Sequence, residues 1–481
     1  MTILGAWAVA SAQPQSPVEA TLKKFTEAYA AIESQSADPL VSEQAFYAGA
    51  IPAMLRRLDP FSVFLDPTQT EQLKEMEKSE RKGFGSVVSV LPGRVIVLQT
   101  LAGTPSAKAG LSAGDEILVI NNIPLNRLSF EQLIQLLSEA RQREARLMVR
   151  RPGNVRMLEF VLSPELVDSP SVDRAYLLQP GIGYVRVANY DPKTGALLKS
   201  SIESLGGKAL KGLVIDMRNN PGGVVQSALE AAALFLKPGQ TILSVRGRST
   251  PDDAVKVPEK IEPYTFPVAI LINGKTASAA EIVTGALQDH DRAAVIGEPS
   301  YGKGLVQSVY NLSANTALAL TTAFYYTPSG RSIQKPIEGG QLNPAKYAGK
   351  GEHHTDSGRV VKGGGGIQPD QLVEPEPMNR LRGVIEASGS LTGFATDYSQ
   401  KHKIEPAFAV TPAVLDEFKV YLSEHSIQPG MGEWLQDRAW LENRLKQEFF
   451  NLNFGVEKGD EVEAQRDPAV QRAVAAITAG R

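Results

Sequence analysis

The chain holds no cysteine in 481 residues, which excludes disulfides, thiol catalysis and cysteine-ligated metal sites together. No run approaches the ~20 consecutive apolar residues that a membrane-spanning helix needs. Lysine and arginine (50) nearly balance aspartate and glutamate (53), the formal net charge is −3, and no basic run stands out. A nucleic-acid partner therefore has no electrostatic footing. No internal repeat is evident. What is present is length and apolar content: the chain allows roughly three domains at ~150 residues each, and 42% hydrophobic residues suffice for globular cores.

Chemistry concentrates around Ser278. An apolar run, Phe266-Pro-Val-Ala-Ile-Leu-Ile272, meets a turn at Asn273-Gly274, and a helical pattern follows with Ala279, Ile282, Val283, Ala286 and Leu287 at the spacing of one face. A serine at such a strand-to-helix turn exposes its hydroxyl. The first helical amides and the positive end of the helix dipole point toward any oxyanion formed beside it. Lys303 lies 25 positions on and Gln307 four beyond the lysine, a trio that reads as a serine nucleophile with a lysine base. To accept the serine proton Lys303 must be neutral, so its reference pKa near ~10.4 has to fall to roughly 7–8. Burial supplies such shifts, and Leu305 and Val306 are expected as the apolar wall. A third element is Gly212-Leu-Val-Ile-Asp-Met-Arg-Asn-Asn-Pro-Gly-Gly223, a strand running into a glycine turn before a helix at Ser227 to Leu236. Without a Cβ, such a turn lets its amides approach a substrate carbonyl.

With these runs the chain resembles the C-terminal processing (tail-specific) serine peptidases, a Ser-Lys family with a PDZ domain. The matching segments are Leu58-Asp-Pro-Phe-Ser62, a PDZ-like stretch from about Gly83, Asp216 to Gly223, Thr276-Ala-Ser-Ala-Ala-Glu281, Gly302-Lys-Gly304 with Gln307, Thr327-Pro-Ser-Gly-Arg-Ser-Ile-Gln334, and Gly366-Ile-Gln-Pro-Asp370. They occur in family order over nearly the whole chain. The resemblance implies Ser278 as nucleophile, Lys303 as general base and Gln307 as the residue that positions the lysine. It implies an oxyanion hole from the Ala279 amide with Gly222 or Gly223. Departures are small: Thr276 stands where serine is frequent, Tyr301 where phenylalanine is, and Phe61 where histidine or tyrosine is.

Gly83-Phe84-Gly85 followed by Ser-Val-Val-Ser-Val reads as a carboxylate-binding loop leading into a strand, the arrangement by which a peptide's C-terminus is held while the peptide adds as a strand. Turn-rich runs at Gly103 to Ala107 and Ala109 to Ile117 follow. Ser129 and Gln132 then form a capping box that opens a helix with Phe130, Leu133, Ile134 and Leu137 on one face, and strands at Arg146 to Arg150 and Met157 to Leu162 close the unit. The expected organisation is a multidomain α/β protein: residues 1–12 a truncated signal peptide, 13–75 an N-terminal helical segment, 76–165 the PDZ domain, 166–375 the peptidase core, and 376–481 a helical region. The resemblance implies a crotonase-like or Clp-protease-like core. Core strands are expected near 212–217, 266–272, 293–297, 305–311 and 317–326. Ala10-Ser11-Ala12 fits the small-residue pattern of a secretory cleavage site, although no basic segment precedes it. The protein is accordingly expected outside the cytoplasm, in the periplasm of a diderm host.

Residues 336–366, rich in glycine and containing His353 and His354, read as a mobile surface insertion and not as a metal site. Neither metal nor cofactor is implied. Ser332-Ile-Gln-Lys335 fits an SxxK pattern, but Gly330 before it and Pro336 after it argue against the helix that chemistry needs. His290 stands at the far end of the Ser278 helix, ~18 Å away at 1.5 Å per residue, too far to serve as its base, even with Asp216 as a third member. The expected substrates are proteins or peptides with apolar C-termini, and the helical termini are candidate surfaces for a second copy or an adaptor. Two alternatives stand beside the peptidase: a non-catalytic PDZ-type scaffold on the same fold, which the intact Ser278, Lys303 and Gln307 argue against, and an acyl-CoA enzyme, which leaves the PDZ stretch without a role.

Overall fold

Alternation at period two, with both faces apolar, marks the central strands. In the computed structural model, which describes residues 17–77, 80–248, 250–343 and 352–479, the strand Gly212–Asp216 sends Leu213 and Ile215 to one side and Val214 to the other. Val268–Ile272 splits likewise, Val268, Ile270 and Ile272 against Ala269 and Leu271. A strand covered on both faces is apolar at every position, so both segments read as unbroken apolar runs. They form the middle of a six-stranded sheet ordered Val172–Gln179, Ile182–Val187, Gly212–Asp216, Val268–Ile272, Ala293–Gly297, Gln371–Leu372, with the first pair antiparallel and the rest parallel.

Helices Thr194–Ser204, Val225–Ala233 and Ala279–Asp289 cover one face of this sheet. All eleven residues of Ala279–Asp289 are buried, so its apolar positions belong to an interior helix and not to one stripe of a surface helix. The opposite face is covered by the last helix, Pro468–Thr478, through Ala469, Val470, Ala473, Ala476 and Ile477. Gly212 makes that docking close: a Cβ there would overlap Ile477 Cγ2. A second, antiparallel sheet is built on Ala317–Tyr326, which pairs with Leu305–Asn311 and also with Val63–Leu65 and Thr241–Gly247.

Between the N-terminal helices and this core stands a β-rich unit with its own apolar centre, including Val95, Val97, Ile117, Leu133 and Val149. Its antiparallel strands run in the order Ser86–Leu91, Arg94–Thr100, Glu116–Ile120, Ala145–Arg150, Leu158–Leu162, leaving Ser86–Leu91 at the edge. Ser129 and Gln132 form the expected capping box of Phe130–Ala140. That helix has two apolar faces where one was expected: Leu133, Leu136 and Ala140 are buried, while Phe130 and Ile134 are exposed. Glu80–Gly83 pairs with Glu165–Asp168 where the chain enters and leaves the unit.

The C-terminal region is a separate helical cluster centred on Phe394, Leu415, Phe418, Leu422, Leu441, Leu445 and Phe449, and Thr411 caps Pro412–Glu424 as read from the sequence. At the other end, Pro17–Gln35 has no buried residue. The stretch expected to be a mobile insertion is corrected in part: Glu352–His354 and Val360–Lys362 form a hairpin. Arg359 pins it to the core by donating to Asp291 (2.7 Å) and Asp370 (2.6 Å); its charged residues find fixed partners that glycine content alone does not reveal. Residues 344–351, and residues 1–12 read as a signal peptide, lie outside the described residues. Among the described residues no helix is long and apolar enough to cross a membrane.

Gly212→Val is expected to push Pro468–Thr478 off the sheet and to lower unfolding free energy by about 1–3 kcal/mol, the usual cost of overpacking, read as a lower denaturant midpoint with unchanged slope.

Candidate active site

Ser278 occupies a backbone conformation that only a well-determined turn can hold, φ 55° and ψ −116°, at a cost on the order of 1–3 kcal/mol. Several bonds impose it. Thr276 Oγ1 accepts from Asn273 N (3.0 Å) and donates to Met217 O (2.8 Å), and Ala277 N donates to Asn220 O (2.9 Å). The Ser278 turn is thus zipped to the glycine turn after Gly212–Asp216. Gly222 fills the contact, since a Cβ there would stand 2.8 Å from Ser278 Cβ and 2.9 Å from Ala279 N. Gly223, at φ 139°, lies against Tyr190, whose carbonyl a Cβ would overlap.

The two glycine amides differ. Gly222 N donates to Asn220 Oδ1 (2.8 Å), whereas among the described residues neither Gly223 N nor Ala279 N has a hydrogen-bond partner. Ala279 opens the helix, where amides have no partner four residues back.

Two buried groups tie Ser278 to Lys303. Glu281, fully buried, accepts Ser278 N (2.8 Å) and Lys303 N (2.9 Å) on one oxygen, and Gly302 N (2.7 Å) and Ser300 Oγ (2.5 Å) on the other. The two amide nitrogens sharing Oε2 can be no further apart than those two bonds laid end to end. Tyr325, also buried, directs its hydroxyl to Ser278 O (3.1 Å) and Lys303 O (3.0 Å). Burial pushes the Glu281 carboxyl above its usual range, while its four donors pull the other way.

Lys303 Nζ donates to Gln307 Oε1 (2.6 Å), and Gln307 Nε2 donates to Phe61 O (2.7 Å). The amide of Gln307 is therefore oriented from both ends. A bulge between Val306 and Gln307 re-aims the side chain of Gln307 within its strand. The Phe61 ring lies 5.2 Å from Nζ. Asp59 sets that turn, its carboxylate accepting Phe61 N (2.8 Å), Ser62 N (2.7 Å) and Ser62 Oγ (2.8 Å). Burial depresses the Lys303 pKa below the ordinary 10.5, opposed by the charges of Asp59 and Glu281. Phe61 thus supplies an apolar group over the ammonium; of the two residues expected as its wall, Leu305 is buried and Val306 packs against the core cluster. Among the described residues no hydrogen bond joins Ser278 Oγ to Lys303 Nζ.

Residues 181–340 match the profile of peptidase family S41, and residues 96–151 that of a PDZ domain. The carboxy-terminal-processing protease of Bartonella bacilliformis is 34% identical over 339 residues, covering 68% of this chain and 77% of that protein. The chain belongs to the carboxy-terminal-processing proteases. The Synechocystis carboxyl-terminal-processing protease is 31% identical over 303 residues, 62% of this chain and 70% of that protein. A solved structure of a photosystem II D1 C-terminal processing protease is 26% identical, covers 76% of this chain and 96% of its own, and superposes with a TM-score of 0.41.

This protease is accordingly a serine-type peptidase with a PDZ domain. In that domain Gly83 ends the strand Glu80–Gly83, and Gly85 has φ 75°. The loop is fastened through its carbonyls: Phe84 O accepts Ser106 N (2.9 Å) and Gly85 O accepts Leu101 N (2.8 Å). The loop leads directly into the edge strand Ser86–Leu91.

The rival arrangements are not assembled. Residues 331–336 form no helix, and Ser332 O accepts Gly364 N (2.6 Å). His290 contacts Asp356 (2.8 Å) and Thr241 O (2.8 Å), while Asp216 is held by Tyr184 and Arg218. Sequence reasoning assigned no role to Glu281, Tyr325 or the carbonyl of Phe61. Glu281 had a local signal, since it stands at the third helical position after Ser278, the acidic place of a capping box. Tyr325 and Phe61 had none, because their partners lie far away in sequence.

Glu281→Gln turns one oxygen into a donor facing two buried donors. It is expected to cost on the order of 3 kcal/mol in a chemical denaturation experiment; an unchanged midpoint would show that the carboxyl is held protonated.

Proposed function

We propose that this protease captures the apolar C-terminal tail of a protein substrate on its PDZ domain and cleaves the chain by a Ser-Lys acyl-enzyme route. The observation that carries it is the double tether of Glu281 and Tyr325, which holds the backbones of Ser278 and Lys303 together, with Gln307 fixing the lysine ammonium. Ser278 Oγ attacks the scissile carbonyl as neutral Lys303 takes its proton. Charge developing on the carbonyl oxygen is met by the amides of Ala279 and Gly223. Gly223 is preferred over Gly222 because the Gly222 amide is already bonded to Asn220. Lys303 then passes its proton to the leaving amine, and water resolves the ester with Lys303 as base again. No metal or cofactor takes part.

Gln307 acts by presenting a carbonyl oxygen to Nζ, and its own donation to Phe61 O prevents the flip that would present an NH2 group. On the PDZ domain, the loop Gly83-Phe84-Gly85 would take the terminal carboxylate. The edge strand Ser86–Leu91, unpaired along one side, would take the tail as an added strand. Exposed Phe130 and Ile134 would supply apolar contacts for its side chains. The domain limits are taken as read from the sequence, and the enzyme is placed outside the cytoplasm, in the periplasm of a diderm host. The helical termini are candidate surfaces for a second copy or an adaptor.

Ser278→Ala and Lys303→Ala are each expected to lower kcat by at least ~1,000-fold with the fold intact, measured by mass spectrometry of cleavage of an unstructured protein with an apolar tail. Near-normal turnover by either would contradict the mechanism. A copy ending in two aspartates should be cut more slowly, at higher KM. Because Lys303 must be neutral and burial favours the neutral form, kcat/KM should rise with pH along a limb lying below 10.5. Lys303→Arg, always protonated, should be inactive at every pH.

A further inference from the structure

The C-terminal helices reach the active site from behind. Arg218, two residues past the end of Gly212–Asp216, holds Asp216 with Nη2 (2.6 Å) and Nε (3.0 Å), and it donates from Nη1 to Asp467 Oδ2 (2.6 Å). Asp216 is also fixed by Tyr184 Oη (2.8 Å). With its other oxygen, Oδ1, Asp467 caps the last helix by accepting Ala469 N (2.8 Å) and Val470 N (3.2 Å). Directly after Arg218 come Asn219 and Asn220. Asn220 carries the whole turn, donating from Nδ2 to Val187 O (2.7 Å) and accepting Gly222 N on Oδ1 and Ala277 N on its carbonyl. The position of Arg218 thus passes through one residue, Asn219, to Asn220, and from Asn220 to the glycine turn before Gly223 and to the turn that carries Ser278.

The helix that precedes Asp467, Val456–Ala464, leads the other way. Val456 N donates to Gln99 Oε1 (3.0 Å) in the PDZ strand Arg94–Thr100, and Gln99 pairs with Val87 of the edge strand. Gly455 is at φ 90°, where a Cβ would stand 3.2 Å from Gln99 Oε1. In the middle of the helix, Asp460 accepts Arg174 Nε (2.5 Å) and lies 3.3 Å from Arg186 Nη2, both on core strands. One short helix and the turn after it therefore span PDZ strand, core sheet and the Arg218 partner. Elsewhere the helical region also touches the PDZ domain, Gly389 against Leu91 and Thr396 against Gly114.

We propose that Asp467 is a positioning residue for the oxyanion turn, acting through Arg218, and that the helix Val456–Ala464 makes that position depend on the PDZ domain. Charge-assisted, multidentate bonds fix direction as well as distance, and a displacement of about 1 Å at a reacting group can cost ~100-fold in rate. The inference rests on the Ser-Lys route proposed above. It gives the C-terminal helices a part in catalysis as well as in stability.

The full-length protein is tested on two substrates, an unstructured protein with an apolar tail and a short internal peptide without one. Asp467→Asn separates the two roles of the aspartate, because asparagine caps helices as well as aspartate does but carries no charge for Arg218. It should keep the thermal midpoint and the KM of both substrates within about twofold, lower kcat ~10-fold or more on both, and slow labelling of Ser278 by a fluorophosphonate in parallel. Asp467→Glu should recover part of the loss. Gln99→Ala should leave the tail-less peptide unchanged and lower kcat on the tailed protein about threefold or more. Wild-type kcat in an active preparation of Asp467→Asn overturns the positioning role. Equal effects of Gln99→Ala on both substrates overturn the link to the PDZ domain. A wild type that cleaves neither substrate overturns the Ser-Lys route itself and this inference with it, an outcome distinct from the other two.

Discussion

One buried carboxylate organises the active site. Glu281 gathers four donors from two segments of chain, the Ser278 turn and the loop 300–303, and so joins the two segments that carry Ser278 and Lys303. An isolated ionised carboxyl in a dry interior is strongly disfavoured, and it persists there only when every lone pair is met. The requirement acts in both directions. The carboxylate needs the donors, and the donors, three of them backbone amides that have left regular structure, need an acceptor. The left-handed backbone of Ser278 is one consequence: the turn is held there because its amide, its neighbours and the opposing Gly222 leave no relaxed alternative.

Around that anchor the chemistry is distributed so that each group has a single free valence. Gln307 spends its NH2 on Phe61 O and keeps its carbonyl for Lys303. Gly222 gives its amide to Asn220, and Gly223 keeps its own. Lys303 lies under an aromatic ring and is half-buried, a setting that favours the neutral amine, while Asp59 and Glu281 limit the fall in its pKa. Under the proposed Ser-Lys route, that balance suits a base that must lose a proton without ceasing to be able to carry one.

Much of this was legible locally. Strands at 212–216, 268–272, 293–297, 305–311 and 317–326 announce themselves as apolar runs bounded by turns, and the interior helix after Ser278 has its start marked by turn and cap chemistry. The PDZ helix was found through Ser129 and Gln132. What stayed hidden depends on partners distant in sequence. Phe61 O meets Gln307 and Asp467 meets Arg218 across some 250 positions, and no periodicity encodes such a pairing. Period alone also could not tell that the Phe61 ring lies 5.2 Å from the Lys303 ammonium. The hairpin at 352–362 was missed for a related reason: its order comes from Asp291 and Asp370, not from its own glycine-rich composition.

The most direct test of the central claim is to trap the covalent enzyme. Wild-type protein is reacted with a serine-directed fluorophosphonate across a pH series and digested, and the modified peptide is located by mass spectrometry. A single adduct on Ser278, forming faster as Lys303 loses its proton, is the result this structure predicts. An adduct on Ser332 or any other serine, or a Ser278 adduct whose rate does not change with pH, would contradict it.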